Sequence, residues 1–161
     1  MPKTIERPTM AWINGTDIPS PTIYYKMRAR DAGFDVHEFY DAASALERLS
    51  LVKYPVIFTE IDLDTGRTDN PDVLNVINEF DREHSSTLLL PMISYLRQPP
   101  NPNNKSSIFV GGVYGRWNDA LFLDLSRRVK LAGADDYIYF MDVSALEFGN
   151  KLKNLTEKVS A

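Results

Sequence analysis

Seven residues, Pro55-Val-Ile-Phe-Thr-Glu-Ile61, form an almost unbroken apolar run that is too short for a helix and rich in β-branched side chains. A strand of that composition is buried on both faces, which calls for a parallel sheet with helices packed above and below it. The remaining sequence supplies matching parts. Met10 to Asn14 is a first strand. Ser20-Pro21 pairs a cap residue with proline at the first helical position, and Ala32-Gly33 closes that helix with a glycine suited to a left-handed cap. Phe34 to Phe39 follows as strand two, Asp41 caps a helix to about Val52, and Asn70-Pro71 repeats the start signal before a helix to about Glu83. The pattern then predicts a fourth strand over Leu88 to Tyr95, a helix from about Asn118 to Ala132, a fifth strand over Tyr137 to Met141 and a last helix from about Val143 to Val159.

Five strands alternating with five helices are the content of an α/β domain of flavodoxin-like form, a doubly wound five-stranded parallel sheet with strand order 2-1-3-4-5. Between Arg97 and Trp117 the regular spacing breaks. Gln98-Pro-Pro-Asn-Pro-Asn-Asn104 has loop composition, and Ile108-Phe-Val-Gly-Gly-Val-Tyr114 reads as two β-prone runs around a glycine pair. The spacing therefore predicts an insertion over 97–117, a loop or hairpin, between strand 4 and helix 4. Residues 1–9 read as an N-terminal tail and 10–161 as a single domain, an ordinary size for one core at 161 residues.

Composition narrows the function classes. The net charge of -4 offers no electrostatic footprint for a nucleic-acid backbone. Cysteine is absent, which excludes disulfides and thiolate metal sites, and His37 and His84 are the only histidines, too few for a zinc centre. No stretch approaches the ~20 apolar residues of a membrane span, and the first residues lack an apolar signal core. The expectation is a cytoplasmic protein that binds neither nucleic acid nor membrane.

In an open sheet of this kind chemistry gathers outside the carboxyl ends of the strands, where the strand order reverses. Strand one ends in Asn14-Gly-Thr-Asp17 and strand three in Glu60-Ile-Asp62. Asp17, Glu60 and Asp62 put up to three carboxylates at one rim, enough to hold a divalent cation such as Mg²⁺ weakly through oxygens; the alternative is three solvated loop acids.

Leu131-Ala-Gly-Ala-Asp-Asp-Tyr-Ile-Tyr-Phe140 then resembles the segment that closes the receiver domain of two-component response regulators. In that family a Lys-Pro pair typically follows, and here those places hold Phe140 and Met141. Counting back from Ala32-Gly33-Phe34, the resemblance places the family's acidic pair on Thr16 and Asp17, its phosphoaccepting aspartate on Glu60, its strand-four hydroxyl on Ser94 and its switching aromatic on Tyr137. It implies a degenerate phosphoacceptor site built from Thr16, Asp17, Glu60, Asp62, Ser94 and Phe140. A receiver phosphorylates itself because carboxylates hold Mg²⁺ against the phosphoryl oxygens while an ammonium balances the remaining charge. Phe140 carries no charge, and the extra methylene of Glu60 displaces the nucleophile, a misplacement that can cost about a hundredfold.

The resemblance therefore implies an atypical variant, a pseudo-receiver that is not an enzyme, needs no cofactor and signals through protein contacts. Glu60 is at the same time a candidate permanent mimic of the phosphorylated state. The family's usual contact face maps to Arg127, Arg128, Tyr137, Tyr139 and Phe140, and arginine and aromatic residues suit interface centres. Phe109, Tyr114, Arg116 and Trp117 in the insertion form a second candidate contact surface. Implied partners are a kinase or another regulator of a phosphorelay, an output domain on a longer chain, or a second copy in a homodimer. Two other readings stand beside this one. A divergent, phosphorylatable regulator would use Asp62 or Glu60 with Mg²⁺. A small flavodoxin-like enzyme or nucleotide binder would need a glycine-rich phosphate loop, and Asn14-Gly-Thr-Asp-Ile-Pro-Ser-Pro21 has one glycine and two prolines.

Overall fold

The computed structural model describes residues 7–16, 21–79, 88–112, 119–140 and 143–160. The strands are β1 (Thr9–Ile13), β2 (Asp35–Phe39), β3 (Val56–Thr59), β4 (Ser107–Gly112) and β5 (Asp136–Tyr139). The helices are α1 (Pro21–Asp31), α2 (Ala42–Leu51), α3 (Pro71–Asn78), α4 (Leu89–Arg97), α5 (Asp119–Ala132) and α6 (Ala145–Ser160). All five strands are parallel, in the order β2-β1-β3-β4-β5, so the doubly wound, flavodoxin-like α/β reading holds. Every residue of β3 is buried, as its unbroken apolar sequence requires of the middle strand.

Side chains alternate across the sheet and build one core on each face. Ala11, Ile13, Ile57, Ile108 and Val110 pack with α2, α3, α4 and α5. Met10, Trp12, Val56, Phe58 and Phe109 point the other way, to Tyr25 and Ala29 of α1 and Phe148 and Leu152 of α6. The aromatic content concentrates on this second face, where Trp12 stacks on Phe58 at 4.1 Å and meets Phe148 edge-on at 6.1 Å. No helix among the described residues is long and apolar enough to cross a membrane.

The fourth strand lies elsewhere than the sequence pattern suggested. Leu88 to Tyr95 is helical: Leu89, Met92, Ile93 and Leu96 are buried at the i, i+3, i+4, i+7 spacing of one helix face. Pro91 sits in the first turn of α4, where a missing N–H costs nothing. The strand is instead Ser107–Gly112, inside the segment expected to be an insertion. It pairs in parallel with β3 and β5, so it is an interior strand and not half of a hairpin.

Candidate functional site

The strand order reverses between β1 and β3, and the site grows from the ends of these two strands. Register sets Ile13 beside Thr59. The next pair is therefore Asn14 and Glu60, joined by the Glu60 amide donating to the Ile13 carbonyl at 2.9 Å. Glu60 is 3% exposed. Its Oε2 accepts from the Trp12 indole Nε1 at 2.9 Å. Burial pushes its carboxyl above the usual range, against the lowering influences of the Trp12 bond, the Lys26 charge and the Gly15 backbone.

A cation does stand in this corner, supplied by α1 and not by β5. Lys26 is 8% exposed and donates to Asn14 Oδ1 at 2.5 Å. Its ammonium pairs with Glu38 of β2 at 2.6 Å and lies 5.6 Å from the Trp12 ring centroid. Asn14 in turn donates through Nδ2 to the Phe39 carbonyl at 3.0 Å, which locks its amide orientation. Trp12, Asn14, Lys26, Glu38 and Glu60 thus form one internally satisfied polar network, the condition under which buried polar groups are tolerated.

Phe140 fills the remaining flank. Its ring lies parallel to Phe58 at 5.9 Å and 4.2 Å from Tyr25, whose hydroxyl donates to the Phe140 carbonyl at 2.9 Å and also to that of Val143. On β4, Val110 pairs with Thr59, so the residue level with Glu60 is Gly111. A Cβ at Gly111 would collide with the Phe58 ring and come 3.1 Å from Phe140 Cε1. A hydroxyl-bearing side chain has no room at that strand end.

Several expected positions therefore move. Ser94 is in α4 and not at a strand end. The residues after β1 that lie beside Glu60 are Asn14 and Gly15; a Cβ on Gly15 would lie 3.3 Å from that of Glu60. Thr16 is exposed, and both its amide and its hydroxyl donate to the Asp62 carbonyl, at 2.7 and 3.1 Å. Asp62 is half-buried, and Asp17 lies outside the described residues. Among the described residues no three acidic or histidine side chains gather to hold a metal ion. Glu60, turned to Trp12, is a poor fit for Mg²⁺, which demands open carboxylate oxygens in octahedral array.

The expected contact face divides as well. Tyr137 is buried in the core beneath α4 and α5, and Tyr139 packs against the same core half-buried. Phe140 is buried on the opposite face. Arg127 and Arg128 reach solvent and pair with Asp124 at 3.2 and 3.9 Å. Phe109 is an interior residue of β4, 8% exposed, and is no part of an external surface. Tyr114, Arg116 and Trp117 lie outside the described residues.

The parts missed by sequence reasoning are Trp12, Asn14, Lys26 and Gly111. One signal was available for Lys26. It shares the inward stripe of α1 with Thr22, Tyr25 and Ala29, the spacing of a buried helix face, where a cation needs a buried partner.

No family model matches the chain, and no curated protein matches it in sequence. Solved structures do match in fold. A protein described as a response regulator from Chloroflexus aurantiacus J-10-fl superposes with a TM-score of 0.63 at 15% identity, over 94% of this chain and 99% of that one. The receiver domain of a sensor histidine kinase from Pseudomonas aeruginosa PAO1, with a magnesium ion coordinated in its active site cleft, gives 0.61 at 14% identity over 94% and 99%. The receiver domain of a Francisella response regulator gives 0.59 at 14% identity over 94% and 98%. This is the receiver fold. Within it, Glu60 ends the middle strand, and the strand ends on either side of it are Asn14-Gly15 and Gly111.

Proposed function

We propose that the chain is a receiver-fold signalling module that works by binding other proteins and takes up no phosphoryl group. The observation that carries this reading is the closure of the corner around Glu60, which is 3% exposed and bonded to Trp12. Phosphoryl transfer to a carboxylate needs an open oxygen for in-line attack, a metal ion against the phosphoryl oxygens and fixed positive charge beyond them. Here the oxygen is turned inward, the position just after β5 holds Phe140, and the ammonium of Lys26 is already engaged by Asn14 and Glu38. Enclosure also opposes the phosphate-mimic idea. Burial raises the Glu60 pKa, and a carboxyl 3% exposed lies out of a partner's reach.

On this reading the partners are proteins of a signalling relay, such as a kinase, a regulator or an output domain, or a second copy of the chain. Arg127, Arg128 and Tyr139 are the solvent-reaching members of one proposed contact face, and the 113–117 segment with Tyr114, Arg116 and Trp117 is the other.

The test is an amide NMR titration with Mg²⁺ and then beryllofluoride, a mimic of acyl phosphate. The expected result is no saturable shift at Glu60, at Gly111 or at the Trp12 indole N–H. Saturable shifts that spread to Tyr137 would overturn the reading, and their centre would show whether Glu60 or Asp62 is the acceptor.

A further inference from the structure

A cleft of about 540 Å³ opens between α3 and the turn that joins α4 to β4, on different elements from the Glu60 corner. One wall is α3 with its C-cap Glu79, presenting Asp72, Asn75, Val76 and Glu79 at helical spacing. The other is the α4 end and the following turn, with Tyr95, Gln98, Pro99, Pro100 and Asn101. Ser50 and Leu51 of α2 also line it, and Leu51 is 82% exposed.

Two properties point to a ligand. The only charged residues lining the cleft are the carboxylates Asp72 and Glu79, and no cation pairs with either among the described residues. The wall is also held in place before anything binds, since the Tyr95 and Ser50 hydroxyls bond each other at 2.7 Å and tie α4 to α2. A prepared wall reduces the ordering cost of association.

We propose that this cleft docks an extended peptide segment of a partner protein, with an arginine or lysine set between Asp72 and Glu79 and apolar or prolyl residues against Tyr95, Pro99, Pro100 and Leu51. Charge selects the partner: the cleft offers carboxylates and amides without a cation, so an acidic segment is repelled.

The experiment uses the whole chain, ¹⁵N-labelled, with pools of eight-residue peptides that fix Arg, Lys or Glu at one position and randomise the rest. Arg and Lys pools are expected to give saturable shifts at residues 50–51, 72–79 and 95–101, and Glu pools none. Glu79→Lys, an exposed change at the C-terminal end of α3 where a cation suits the helix dipole, is expected to weaken binding about tenfold or more. Asp72→Asn should weaken it in the same direction while leaving the amide spectrum of the free chain otherwise intact. Equal binding of Glu pools, shifts centred elsewhere, or affinity untouched by Glu79→Lys would overturn the proposal. Concentration-dependent shifts at the same residues in the peptide-free chain would do so too, because they would make the occupant a second copy.

Discussion

Asn103 lies fully buried in the turn between α4 and β4 and uses its carboxamide in both directions. Its Nδ2 donates to the carbonyls of Leu49 and Val52 at 2.6 and 2.9 Å, satisfying acceptors that the end of α2 leaves without a helical partner. Its Oδ1 accepts from the Tyr54 amide at 2.7 Å and the Ser106 hydroxyl at 3.1 Å. Asn103→Ala is expected to cost about 2–4 kcal/mol in urea unfolding, because it strands several buried polar groups at once. Asn103→Asp should not rescue it, since an oxygen would then stand in place of Nδ2 against the two carbonyls. Glu60 gives a pH prediction. A carboxyl whose pKa is higher folded than unfolded binds its proton more firmly in the native state, so stability falls as pH rises through that interval. Glu60→Gln, which keeps an oxygen for Trp12, is therefore expected to stabilise the fold near neutral pH. The gain should shrink as pH drops toward the ordinary carboxylate value of 4.5. A gain that persists at low pH would attribute the effect to packing. The position of Glu60 at the end of the central strand was legible in the sequence because it follows an apolar run. That of Asn103 was not, since three asparagines fall within residues 101–104 with nothing local to distinguish the one that is fully enclosed.

Among the elements, α4 and β4 exchanged identities between sequence and structure, and the reason is physical. Leu88-Leu-Leu-Pro-Met-Ile-Ser-Tyr95 is apolar at nearly every position, and a short run of that kind fits a two-sided strand and a buried helix face equally. Pro91 was the discriminating residue, since an interior strand loses a ladder bond at proline whereas a first helical turn does not. Ser107–Gly112 hid for the opposite reason: its glycine pair suggested a turn, whereas Gly111 is small because Phe58 and Phe140 cross that strand end. Gly111→Ser, which would restore a hydroxyl beside Glu60, is thus expected to destabilise by about 1–3 kcal/mol through overpacking, read by denaturant unfolding. Phe140→Lys restores the missing charge in name only. It removes the rings' contact with Tyr25 and Phe58, is expected to cost at least about 3 kcal/mol, and should leave the chain unlabelled by acetyl phosphate in the presence of Mg²⁺.

At the scale of the molecule, both cores hang on the same strands. Ile13 and Ile57 serve one face while Trp12 and Phe58 serve the other, so neither face can open without exposing its counterpart. Unfolding is expected to be a single cooperative transition. Trp12 fluorescence, isolated in a Trp117→Phe background, should share its urea midpoint with far-UV circular dichroism; separated midpoints would show that the two faces melt independently. The doubly wound topology was legible from the alternation of apolar runs and helix signals, because that alternation follows from the layers themselves. Which side chains close the strand ends was not, because it depends on register across three strands. That closure bears on how a module of the proposed kind would carry information. A corner satisfied in one arrangement holds no memory of an earlier stimulus and needs no reset, so its message would reside in dose and timing: how many copies are present, where, and for how long.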